Sequence, residues 1–188
     1  MTGKPREDLR LHRLATPIGD ALLVSDGEGA LRVFEFADFE ERMERPLRLH
    51  YGLRKPPPMT PAPAPLRDAI EAYFAGALDA LDRIPCRTGG TPFQRAVWAA
   101  LRKIPAGRTT SYGALAAKLG VPKAVRAVGL ANGANPIGVV VPCHRVIGAD
   151  GSLTGYGGGI ERKRWLLRHE GALAVQSMES EKRQTAAA

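Results

Sequence analysis

Residues 135–146 read Asn-Pro-Ile-Gly-Val-Val-Val-Pro-Cys-His-Arg-Val. Ile137, Val139, Val140 and Val141 fill four of five positions, the pattern of a buried strand. Pro142 ends it, because proline brings no N–H to a sheet ladder. A thiol (Cys143), an imidazole (His144) and a guanidinium (Arg145) follow at once. A rigid segment that stops short is a sound way to hold a nucleophile still. By itself the pair decides nothing, since a cysteine after a valine run is most often a buried small hydrophobe. The surroundings carry the argument.

The chain has 188 residues, enough for one or two compact domains. No apolar run reaches bilayer length and the basic N-terminus lacks a signal-peptide core, so a soluble, cytoplasmic protein without a membrane partner is expected. Cys86 and Cys143 are the only cysteines, too few for a disulfide framework. With four histidines they show no metal-ligand spacing, and neither a metal nor a cofactor is expected. Charge is unevenly placed. Residues 1–87 carry 13 Lys and Arg against 14 Asp and Glu, whereas residues 88–173 carry 12 against 3. The basic excess therefore sits with the Cys-His pair and suits a polyanion such as nucleic acid, or a merely soluble basic surface.

Domain boundaries follow: an α/β N-terminal domain over 1–87, a mainly α C-terminal domain over 88–173, and a disordered tail over 174–188. In the first, 11–15, 21–24 and 30–36 read as strands, with Asp-Gly at 26–27 as a hairpin signal. Residues 38–49 suit a charged helix that stops near Pro46 or shortly after. Six prolines between 56 and 65 predict an extended surface connection. The spacing of Leu66, Ile70, Tyr73, Ala77 and Leu81 predicts one helix over 66–81. A linker follows over 82–90, in which Cys86 has no assigned role.

The second half opens with Thr91 as a helix cap, Pro92 at the first helical position, and an apolar stripe of Phe93, Val97, Trp98, Leu101 and Ile104. A short helix through Leu119, a break at Gly120-Val121-Pro122, and a helix from Pro122 or Lys123 to about Asn132 read as helix-turn-helix. Ala124, Ala127, Gly129 and Ala131 make the second helix small-sided, fit for close approach to a partner surface or to a neighbouring helix. Residues 153–159 are glycine-rich around Tyr156 and lack a phosphate-loop pattern. The last helix runs from Ile160 to Glu170, closed by Gly171. Glu170 opposes the helix dipole, which hints that it is used.

These segments resemble the O6-alkylguanine-DNA alkyltransferases. Thr91–Trp98 is similar to the family's opening helix, and Thr110–Gly113 with Pro122–Gly129 to its helix-turn-helix. Asn135-Pro136 with Val141–Val146 is similar to its active-site signature, and Leu153–Gly159 with Leu166–Gly171 to its closing elements. The resemblance spans about residues 91–171 and implies a ribonuclease H-like first domain. It implies direct-reversal DNA repair: a single-turnover S-methyltransferase moves the alkyl group of O6-alkylguanine, with O4-alkylthymine as an alternative substrate, from duplex DNA to a cysteine. The partner is double-stranded DNA bound through its minor groove, by a monomer.

Carried over by position, the resemblance makes Cys143 the alkyl acceptor. His144 acts on it through a water, and Glu170 holds His144. Asn135 shapes the turn before the cysteine. Tyr112 helps rotate the target phosphate and contacts the base. Val146, Tyr156 and Gly157 belong to the substrate pocket. Arg126 enters the duplex in place of the extruded nucleotide, and Lys123, Ala124, Ala127, Gly129 and Arg145 lie among the DNA contacts. Gly138 stands where many relatives carry a proline, which puts alkyl preference in question. Cysteine at 143 argues against the alkyltransferase-like group that has tryptophan there.

The chemistry is coherent on its own terms. The alkyl carbon is sp³ with a poor leaving group, so SN2 displacement needs a soft, strong nucleophile, and a thiolate is one. The base lies inside the stack and must be flipped out. Two other readings compete. A regulator that merely docks its helix-turn-helix leaves Cys143, His144 and Glu170 unexplained. A cysteine hydrolase leaves the basic charge idle, and such enzymes seldom place nucleophile and base side by side.

Overall fold

Short apolar runs separated by turns in the first forty residues build a three-stranded antiparallel sheet of β1 (Arg10–Leu14), β2 (Ala21–Ser25) and β3 (Leu31–Phe36), in that order. Leu11 pairs with Val24 and Leu23 with Phe34. Because side chains alternate faces, Leu22, Val24 and Val33 pack with Met43 and Leu47 on one side. Leu23, Phe34 and Phe36 pack on the other. The computed structural model describes residues 8–173. The tail over 174–188 lies outside them, as do residues 1–7.

Helix α1 (Glu40–Tyr51) runs straight through Pro46. A proline in a helix interior costs about 3 kcal/mol. Burial of Met43 and Leu47 flanking it holds the helix, and Gly52, left-handed at φ 68°, closes it instead. The proline-rich connection lies along the outer edge of β1, where Leu11 N–H donates to Pro58 O at 2.9 Å and Thr60 N–H to Leu11 O at 2.8 Å. It thereby covers a free sheet edge.

Helix α2 spans Ala64–Phe74, shorter than the apolar spacing implies. Gly76 takes φ 110° and breaks the helix, and a 3₁₀ turn over Ala80–Arg83 buries Ala80 and Leu81. The linker is stitched to β3 through Leu31 N–H to Pro85 O and Arg87 N–H to Leu31 O. Arg102 clamps it from the second half, donating to the carbonyls of Ile84 and Asp82 and to Cys86 Sγ.

The second half contains α3 (Pro92–Leu101), β4 (Thr110–Ser111), α4 (Tyr112–Lys118), α5 (Val125–Gly133), β5 (Val146–Ile147) and α6 (Ile160–His169). Thr91 and Gln94 close a reciprocal capping box on α3. Ser111 caps α4, and β4 pairs in parallel with β5, a short ladder the sequence reading did not foresee. Helix α5 begins at Val125, because Pro122 and Lys123 form a turn. One continuous core joins Phe34, Phe36 and Tyr73 to Trp98, Leu101, Val140 and Leu166. No helix of the described residues is long and apolar enough to cross a membrane.

Candidate active site

The apolar run before Cys143 is buried, as its composition requires, but it is not a strand. Ile137 alone makes a bridge, to Phe34 on the edge of β3. From there the backbone coils through tight turns, with Val140 N–H bonding Gly138 O, Val141 N–H bonding Ile137 O, and Cys143 N–H bonding Val141 O. Val139 is left-handed at φ 64°. That geometry costs a β-branched residue about 1–2 kcal/mol, and full burial of its side chain holds it there. Asn135 fastens the coil across its base. Its Nδ2 donates to Val141 O at 2.8 Å, and its Oδ1 accepts from Ile137 N–H at 3.1 Å.

Residues Cys143–Arg145 then form one 3₁₀ turn, all three buried. Cys143 faces a narrow pocket of about 30 Å³ that is also lined by Phe34, Glu35, Asn132, Asn135 and Tyr156. Behind it, His144 Nε2 lies 2.9 Å from Glu170 Oε1. His144 Nδ1 is buried and has no hydrogen-bond partner among the described residues. Glu170 caps α6 and collects four donors: His144, Tyr73 OH at 2.8 Å, and Arg145 through Nε and Nη2, each at 2.8 Å.

Electrostatics follow from this packing. Burial pushes the Cys143 thiol up, while a hydrogen bond from Asn135 and the Lys163 cation pull it down and Glu35 opposes them. Burial lowers the His144 imidazole, and Glu170 opposes that. Burial alone would raise Glu170, but its bonds from His144 and Arg145 hold it well below the usual carboxylate range. At rest the site therefore pairs a protonated thiol with a neutral imidazole held by a firm anion.

Arg145 and Val146 both lie deep in the site. Arg145, expected among the DNA contacts, is buried against Glu170, with Nη1 on Ile104 O. Val146, expected in the substrate pocket, is fully buried in β5, where its carbonyl accepts from Lys163 Nζ at 2.6 Å. Tyr156 and Gly157 do line it. Tyr112 stands outside the lining, its hydroxyl accepting from Thr154 Oγ1 at 3.2 Å and its ring lying against Gly129. On α5, Lys123 (in the turn before it), Arg126 and Ala127 are exposed, Ala124 and Gly129 half-buried. Leu130 on the same helix is exposed too, and the sequence reading missed it.

Sequence reasoning also missed Tyr73 and Lys163. A signal for Lys163 was present: Lys163, Leu166, Leu167 and Glu170 recur at the spacing of one helix face. Its buried Nζ bonds the carbonyls of Val146 and Thr154, and burial lowers it to about 8.

Residues 92–172 match the family model described as 6-O-methylguanine DNA methyltransferase, DNA binding domain. The methylated-DNA–protein-cysteine methyltransferase of Salmonella typhimurium is 53% identical over 166 residues, covering 87% of this chain and 96% of that protein. The chain belongs to the methylated-DNA–protein-cysteine methyltransferase family. The Haemophilus influenzae methyltransferase is 43% identical, covering 82% of each chain. The mixed α/β fold is similar to that of Mycobacterium tuberculosis OGT solved in complex with DNA, at a TM-score of 0.72 and 41% identity, covering 87% of this chain and 93% of that one. Within this methyltransferase family, the Cys143 turn and the Glu170 cap are thus the features to be explained chemically.

Proposed function

We propose that this chain repairs alkylated DNA by direct reversal, moving one alkyl group from O6 of a flipped-out guanine to Cys143 Sγ. The observation that carries this reading is the buried His144–Glu170 pair behind a pocketed cysteine. The thiol proton passes through a water to His144 Nδ1, the atom that has no protein partner among the described residues. Glu170 receives Nε2–H and stabilises the imidazolium. The thiolate displaces the guanine in line. The S–C bond forms as the C–O6 bond breaks, and the guanine leaves with the electron pair and takes up a proton at N1. Hydrogen bonding from Tyr112 to N3 offsets charge on the leaving base. The thioether is stable to every side chain around it, so each molecule acts once.

In this reading α4 and α5 are a helix-turn-helix that enters the minor groove of double-stranded DNA. Lys123, Ala124, Ala127 and Gly129 are apposed to the backbone, and Arg126 fills the space of the extruded nucleotide. Tyr156 and Gly157 wall the base pocket, which widens to admit it. The first half is a ribonuclease H-like domain over 1–87, the second the acceptor domain over 88–173, and the protein acts as a monomer in the cytoplasm. Exposure of Arg126 supports its assignment.

The test is a pair of substitutions. Cys143→Ser abolishes methyl uptake from a duplex carrying O6-methylguanine and leaves duplex binding intact. Arg126→Ala slows uptake from the duplex far more than uptake from the free base. Unchanged transfer in both variants would refute the assignment.

A further inference from the structure

Glu170 Oε1 receives three donors: His144 Nε2 at 2.9 Å, Arg145 Nη2 at 2.8 Å and Tyr73 OH at 2.8 Å. The first two come from the turn that carries Cys143. The third comes from α2, about seventy residues earlier in the chain. Tyr73 is fully buried, its ring lies edge-on to His169 at 5.1 Å, and its own carbonyl accepts from His169 Nε2 at 2.7 Å. The residue before Glu170 is thus anchored to the same tyrosine. Phe74 and Trp165 complete the aromatic cluster around them.

We propose that Tyr73 is a positioning residue of the alkyl-transfer centre, supplied by the first half of the chain, that sets how strongly Glu170 holds His144. The inference rests on the relay described above. Burial, and next the Glu170 charge, push the Tyr73 hydroxyl far above its ordinary range, so the phenol remains a donor throughout the working pH range. Its hydrogen bond fixes the orientation of the carboxylate and withdraws negative charge from the oxygen that faces His144. The ionisable groups turned toward this relay are Arg145 on its own turn, Lys163 on α6, Glu35 on β3, Tyr156 on the glycine loop, and His169 beside Tyr73. None of these except Arg145 shares Oε1 with His144 among the described residues.

Removing the phenol hydroxyl leaves more charge on Oε1, stabilises the imidazolium, and lets the thiolate form at lower pH. The experiment measures the single-turnover rate of methyl uptake by the full chain against pH, with a duplex holding one O6-methylguanine. It compares wild type, Tyr73→Phe and Phe74→Leu. Tyr73→Phe keeps the ring, and Phe74→Leu loosens the same cluster without touching Glu170. The expected result is a rate midpoint displaced to lower pH by about half a unit or more in Tyr73→Phe, unmoved in Phe74→Leu. The His144 imidazole titration followed by NMR moves up in the first variant only. A Tyr73→Phe midpoint equal to wild type, or an equal shift in both variants, overturns the proposal while the relay stands. Absence of methyl uptake by wild type overturns the relay, and the proposal with it.

Discussion

The guanidinium of Arg145 grips the carboxylate of Glu170 from two sides, Nε at 2.8 Å from Oε2 and Nη2 at 2.8 Å from Oε1, with both side chains buried. The fork geometry fixes the carboxylate plane. It also makes the site dependent on the pair remaining charged.

Stability should therefore fall with acid in two stages. The folded pKa of His144 is below its unfolded value near 6.5, so the unfolded state binds the extra proton and stability is lost as pH falls through 6.5. Glu170 is likewise depressed, so its contribution is present above its unfolded value near 4.5 and is lost below it. Urea midpoints recorded from pH 7.5 to 4 should decline throughout, and a flat profile would contradict this. Glu170→Gln should cost about 3–5 kcal/mol at pH 7, because Arg145 is left buried without its anion.

Lys163→Met keeps the apolar stem and removes the buried cation. The carbonyls of Val146 and Thr154 lose their donor, at about 1–3 kcal/mol each. The Cys143 thiol rises for want of a positive neighbour. A rise of about one unit cuts the thiolate fraction tenfold and the transfer rate with it. The folded ammonium is near 8 against 10.5 unfolded, so the unfolded state binds more protons between those values. Wild type should gain stability relative to Lys163→Met as pH rises from 8 to 10, read as the difference in urea midpoints.

Two neighbouring glycines should respond differently to alanine. A Cβ at Gly157 would overlap the far end of Arg42, a flexible exposed side chain that can swing aside. A Cβ at Gly158 would sit 2.9 Å from the Tyr156 ring and 3.0 Å from the buried Phe36 ring, so Tyr156 has to shift. Gly158→Ala should lower transfer by at least about tenfold through a displaced Tyr156, a loss of roughly 1.4 kcal/mol in the barrier. Gly157→Ala should lower transfer less than Gly158→Ala, because in the free protein only Arg42 has to move. Single-turnover rates of the two variants decide it.

Asn135→Ala removes both ties across the Val139 coil. The strained left-handed valine then loses its restraint. Loss of about 2–3 kcal/mol is expected by chemical denaturation, with slower alkylation of Cys143 by peptide mass.

Much of this was legible in the chain. Apolar runs separated by the turns at 18–20 and 25–29 placed the first three strands, and each face of that sheet has its own core. Cys143 and His144 stood out by adjacency, and Glu170 by its conflict with the helix dipole, which four hydrogen bonds resolve. The segment over 137–141 misled because a short apolar run says that residues are buried, not how their backbone is bonded. Asn135 and Pro136 before it and Gly138 within it were the turn signals. Pro46 misled for a similar reason: tertiary burial of Met43 and Leu47 outweighs a local penalty. The ion pair of Arg145 with Glu170 was out of reach of the sequence, because it forms where the Cys143 turn meets the end of α6. Tyr73 and Lys163 escaped because their roles arise where distant segments meet, and periodicity reports only that a face is buried.

The most direct test of the account is intact-protein and peptide mass spectrometry after mixing the chain with duplex DNA that holds one O6-methylguanine. The account predicts one added methyl per molecule, on Cys143, with no second addition under excess DNA. Unchanged mass despite tight binding to the same duplex, or a methyl found on another residue, would contradict it.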